Sequence, residues 1–109
     1  METDKNTTAV PLKPADMVAY SDDAIVSRQL IRKDHGTISL FAFDKGQSLS
    51  EHTSPYDAFA EVLDGTAEFV IGGKQVTINR DESVILPADV PHSVNAVERF
   101  KMLLLMIKE

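Results

Sequence analysis

Gly46-Gln-Ser-Leu-Ser-Glu-His52-Thr-Ser54-Pro-Tyr-Asp-Ala58, answered downstream by Pro87-Ala-Asp-Val-Pro-His92, carries the reading of this chain. Each stretch places one histidine on a short β-type segment beside a proline-marked turn. The surrounding signals are also those of short strands. Residues 24–31 read as a strand that stops at the turn cluster Lys33-Asp-His35-Gly36. Thr37 to Phe43 alternates β-branched and aromatic residues and ends at Asp44-Lys-Gly46. A further strand is expected from Ala58 to Leu63, stopping at Asp64-Gly65. The runs 67–71 and 74–78 flank Gly72-Gly73, a strong two-residue hairpin signal because both central positions can take positive φ. Ser83 to Leu86 is closed by Pro87, and Phe100 to Ile107 forms the most apolar strand. The one helical turn expected lies near Pro14 to Val18. So many short, regularly punctuated strands predict an all-β antiparallel sandwich or barrel.

The last strand makes a second prediction. Phe100, Met102, Leu104 and Met106 share one face, and Leu103, Leu105 and Ile107 share the other. A strand apolar on both faces is covered on both sides. One face can fill the barrel. The other meets either a second subunit, giving a homodimer, or an N-terminal segment of the same chain.

Composition bounds the rest. The 109 residues support one domain, with residues 1–16 expected as a flexible N-terminal tail and 17–109 as the folded barrel. A net charge of -6 argues against nucleic acid and anionic membrane surfaces, which need clustered basic side chains. Having no cysteine excludes disulfides, zinc-thiolate sites and thiol catalysis. The polar Met1–Thr8 stretch lacks the apolar core of a signal peptide, and no apolar run approaches a membrane span, so a cytoplasmic protein is expected.

From about Ile38 to the C-terminus the chain resembles a small single-domain cupin, a double-stranded β-helix or jelly roll. The family's first motif runs Gly, five residues, His-x-His, three or four residues, Glu or Gln, six residues, Gly. Gly46, His52 and Gly65 match it, while Ser54 stands where the second histidine belongs and Ala58 where the Glu or Gln belongs. The second motif runs Gly, five residues, Pro-x-Gly-x-x-His. Pro87 and His92 match it, and Asp81 and Asp89 replace the two glycines. The resemblance implies a facial set of nitrogen and oxygen ligands for divalent iron, manganese, nickel or zinc. Here only His52 and His92 remain to bind metal, because serine is a weak neutral ligand and alanine is none. The expected cofactor is therefore none, with a weakly held divalent metal as the alternative. Asp57 is the one carboxylate placed to substitute, against a plainer turn-capping role; alternation turns Glu51 and Glu61 away. His35, in a turn, is assigned no function.

If Ala58 points inward, so do Ala60 and Val62. Two alanines leave room, and Met102, with Phe100 and Met106, offers apolar wall on the last strand. The expected pocket is apolar, with His52, Ser54, Ala58, Ala60, His92 and Met102 around it; a solid core is the plainer alternative. Three functions fit. One is a non-catalytic or sensor-like small-molecule-binding cupin. Another is a metal-dependent dioxygenase, isomerase or decarboxylase with a two-histidine ligand set. The third is a metal-independent enzyme using a histidine as acid or base.

Overall fold

The computed structural model describes residues 2–3 and 7–108. Among the described residues nine strands follow one another: β1 (Glu2–Thr3), β2 (Ile25–Lys33), β3 (Gly36–Phe43), β4 (Ser48–His52), β5 (Asp57–Ile71), β6 (Lys74–Asn79), β7 (Ser83–Leu86), β8 (His92–Asn95) and β9 (Phe100–Ile107). All pairings are antiparallel, in the order β1-β2-β3-β9-β5-β8-β4, with β6 and β7 also bonded to β5. The all-β barrel expected from the strand pattern is the fold observed.

One expectation is corrected. The strands foreseen on either side of Asp64-Gly65 are a single strand of 15 residues. A register shift between Val62 and Asp64 bends it without ending the ladder, since Asp64 still pairs with Lys101 and Gly65 with Phe100. The first half of β5 is held between β9 and β7, the second between β8 and β6. Gly65 makes the corner possible. Its φ is +73°, and a Cβ there would collide with the Arg99 carbonyl. The hairpin at Gly72-Gly73 forms as expected, both glycines at positive φ and Ile71 paired with Lys74.

The two glycine-replacing aspartates explain themselves through the backbone. Asp81 sits at φ 69° and Asp89 at φ 65°, the left-handed region that glycine holds without strain and aspartate tolerates better than most residues. Both turns thus hold a backbone that glycine would take without strain, with an aspartate side chain in its place.

Two apolar clusters form. Inside the barrel, Phe43 stacks on Phe100 with centroids 4.5 Å apart, and Val62, Phe69 and Ile78 pack around them. Outside it, Val18 covers Leu30, Leu40 and Ala42, with Met17, Tyr20 and Leu103 alongside. The N-terminal segment therefore covers part of the outer face of β9, as the second alternative for that strand required. It is pinned there. Lys101 donates to the Ala15 carbonyl at 2.6 Å, and Tyr20 donates to Asp64 at 2.6 Å. Burial and this carboxylate partner push the Tyr20 phenol well above its usual range.

The stretch 1–16 accordingly differs from a wholly unpacked tail. Glu2–Thr3 pair with Arg32 and Ile31 of β2, and Pro14–Asp16 forms the expected helical turn as a short 3-10 element against β5 and β9. The other part of that expectation, at residues 1 and 4–6, lies outside the described residues. Beyond Leu103 the outer face stays bare: Phe59, Ile85 and Ile107 are exposed and, with Leu105, border one shallow apolar depression. Among the described residues no helix is long and apolar enough to cross a membrane.

Candidate functional site

The site begins with a local irregularity. Strand β4 pairs with β8 so that Ser48 faces Asn95 and Leu49 faces Val94, yet His52 faces His92. One extra residue has been taken up between Leu49 and His52. Plain alternation from Leu49 would turn Glu51 inward; the bulge turns His52 inward instead. His52 and His92 become cross-strand partners, their rings 4.4 Å apart at 67°.

Each ring is fixed by the backbone carbonyl two residues before it. His52 Nδ1 lies 2.8 Å from the Ser50 carbonyl, and His92 Nδ1 lies 3.2 Å from the Val90 carbonyl. A carbonyl can only accept, so in both bonds Nδ1 is the donor and carries the proton. In the neutral ring the other nitrogen, Nε2, is then a bare acceptor. No protein group bonds either Nε2 among the described residues, and no buried side-chain nitrogen there lacks a partner. The His92 Nε2 therefore reaches accessible space, and His52 is exposed as a residue.

Two loops hold this pair together. Asp57 accepts the Ala88 N–H at 2.8 Å, and the Ser54 carbonyl accepts the Asp89 N–H at 2.7 Å. Ser54 Oγ accepts the Tyr56 N–H at 3.2 Å, closing its own turn. Asp57 is thus spent as a loop clasp, facing the second loop rather than the imidazoles.

Beneath the histidines lies a cavity of about 160 Å³. Its walls are Leu49, Ala58, Phe69, Leu86, Val94 and the β9 side chains Met102, Leu104 and Met106. His52, Ser54, Tyr56 and His92 supply the polar atoms. Among the described residues no Lys, Arg, Asp or Glu lines it, so the lining is neutral when the imidazoles are. His52 is exposed and His92 is 9% exposed, which puts one ring at the mouth and the other within.

Of the residues singled out from sequence, His52, Ser54, Ala58, His92 and Met102 come together around this space. Ala60 does not line it. It is 1% exposed, paired with Leu104 and Val84, and packed into the filled part of the barrel. Phe100 is stacked away in the same core. The barrel is thus hollow at the loop end and solid where the phenylalanines stack. Tyr56 went unread in the sequence, although the alternation that turns Ala58 inward also turns Tyr56 inward when followed backwards. Leu86 and Val94 had no sequence signal of their own.

The donor set does not fit the facial metal centre that the family resemblance implies. The two imidazoles present the correct tautomer for ligation. The remaining corners are a serine hydroxyl already accepting a backbone N–H and an alanine methyl. Among the described residues there is no group of three or more His, Cys, Asp or Glu that could hold a metal ion.

Comparison with known proteins agrees with this architecture. A family model described as the cupin domain matches residues 39–108. A conserved protein of unknown function from Streptococcus pyogenes is 35% identical, with 93% of this chain and 89% of that one covered and a TM-score of 0.88. A cupin 2 conserved barrel domain protein from Leptotrichia buccalis is 41% identical over 86% of this chain and 46% of that one, with a TM-score of 0.84. A cupin superfamily protein from Desulfitobacterium hafniense is 27% identical over 93% of both chains, with a TM-score of 0.87. No curated protein matches the chain.

Proposed function

This chain belongs to the cupin family, and from that premise we propose that it is a small-molecule-binding member, non-catalytic and sensor-like, whose ligand occupies the barrel cavity. The observation that carries this reading is the cavity itself. It is apolar around most of its wall, with a few convergent polar groups at one end, which is the make-up of a small-molecule site. His52, Ser54 and His92 orient the ligand, and Met102 with its neighbours on β9 adapts to its body. The test is a fragment screen by ligand-observed NMR, repeated on Ala58→Leu, which fills the cavity. Binding that disappears in Ala58→Leu supports the reading. Binding that survives it, or no binding by any fragment, overturns it.

A metal-dependent enzyme of the dioxygenase, isomerase or decarboxylase type is the competing reading, favoured by the two free Nε2 lone pairs. It would need every further ligand from outside the protein. Elemental analysis finding about one iron, manganese, nickel or zinc per chain would establish it over ours.

We also propose that the chain is a homodimer. A second copy packs on the bare outer face of Phe59, Ile85, Leu105 and Ile107. Across a two-fold axis the same exposed apolar side chains of both copies cover one another, which is the form an isologous interface takes.

A further inference from the structure

Resting on the binding reading above, we infer that the ligand is a neutral, single-ring molecule carrying one hydroxyl, of the phenol class, bound ring-first with its O–H donated to a histidine Nε2. Size sets the first limit. A cavity of about 160 Å³ is close to the roughly 150 Å³ apolar cavity that accepts benzene, so one ring with a small substituent fills it. Fused rings and nucleotides are too large.

Polarity sets the second limit. Both Nε2 atoms accept hydrogen bonds and neither is engaged, so the ligand must bring the proton. A carboxylate or phosphate brings a full negative charge, and among the described residues no Lys or Arg lines the cavity to balance it. A sugar brings several hydroxyls, most of which would face Leu49, Leu86, Val94 and Leu104 with no partner, each unmade bond being costly. The two imidazole acceptors lie together at one end, their rings 4.4 Å apart, so a hydroxyl placed there is satisfied while hydroxyls elsewhere on the body are not.

The wall favours an aromatic body over an aliphatic one. Met102 and Met106 offer thioether sulfurs and Phe69 a ring edge or face, all of which interact well with an aromatic ring.

The experiment is calorimetric titration of the intact protein near neutral pH with four probes: 4-methylphenol, toluene, benzoate and 2-naphthol. We expect 4-methylphenol to bind about fivefold to tenfold more tightly than toluene, the worth of one hydrogen bond. Benzoate and 2-naphthol should bind more weakly than either. In His92→Phe, which keeps a ring and loses the acceptor, the preference for 4-methylphenol over toluene should shrink. His52→Phe, changing the exposed ring at the mouth, serves if the first variant fails to fold. Toluene binding as tightly as 4-methylphenol overturns the donor assignment and leaves the cavity reading standing. A preference for benzoate or 2-naphthol overturns the ligand class in the same way. Binding by none of the four overturns the ligand class, and the cavity reading falls as well only if the Ala58→Leu-controlled fragment screen is also negative.

Discussion

The Asp57 carboxylate accepts the Ala88 N–H across 31 positions of sequence, at 2.8 Å, fastening the loop after His52 to the loop before His92. The bond is exposed, so its worth is that of a surface hydrogen bond, about 0.5–1.5 kcal/mol. Asp57→Ala should lower stability by about that amount and shift the ring NMR signals of both histidines. Asp57→Asn keeps an acceptor oxygen and should restore most of both effects. Histidine signals unmoved by Asp57→Ala would show that the clasp does not position the rings.

Gly65 and Gly46 separate two costs that usually come together. Both have positive φ, but only Gly65 has a backbone carbonyl where a Cβ would go. Gly46→Ala should cost about 1–2 kcal/mol from the left-handed backbone alone. Gly65→Ala should cost clearly more, because the Arg99 carbonyl on the β9 side must move as well. Equal losses in chemical denaturation would contradict the corner described for β5.

At Asp81 and Asp89 the opposite substitution is informative. Replacing either with Gly relieves a left-handed non-glycine residue but adds freedom to the unfolded chain, so stability should change by less than about 1 kcal/mol at both positions. Asp81→Val should destabilise, since a β-branched side chain fits that region poorly. A tolerated valine there would remove the backbone explanation for the altered motif.

Asp44 predicts a pH dependence. The Arg99 guanidinium bonds it at 2.8 Å and the Asp23 N–H bonds its other oxygen at 2.8 Å, holding its carboxyl below the usual 3.8. A depressed carboxylate binds protons more readily unfolded than folded. Its contribution is therefore complete above the ordinary value and is lost as pH falls through the lower, folded one. Asp44→Asn should lower stability in the neutral region, where the contribution is complete, and flatten that part of the acid limb, so that variant and wild type converge at low pH. An identical acid limb in the variant would rule this pair out as a source.

Ile85 and Phe59 test the outer face. Ile85 is 64% exposed, so Ile85→Asp should leave the fold intact, and it should convert a dimer to a monomer by light scattering. A wild-type chain that is already monomeric at micromolar concentration would end the dimer proposal.

Much of the barrel was legible because alternation and turn chemistry are local. The runs at β2, β3, β7 and β9 and the Gly72-Gly73 hairpin read directly. The continuity of β5 did not, because glycine after aspartate signals a turn equally well whether the ladder stops or bends. What decides is the Arg99–Phe100 backbone lying against Gly65, a long-range contact. Cover of Leu103 by Val18 was one of two options that composition could not separate. Within the site, the pairing of His52 with His92 was legible from motif spacing. The bulge that aims His52 was not, since register is set by the partner strand. Alternation does not separate Ala60 from the cavity-lining Ala58, because it gives the face of a residue and not its depth along the barrel.

The extra residue in β4 leaves the site's chemistry hanging on register. Smoothing the bulge at unchanged length would seat the carboxylate of Glu51 opposite His92 and turn the imidazole outward, whereas deleting one position between Leu49 and His52 would keep the two histidines face to face. A barrel of this kind can thus exchange an imidazole for a carboxylate by a slip of one position alone, with every wall residue untouched.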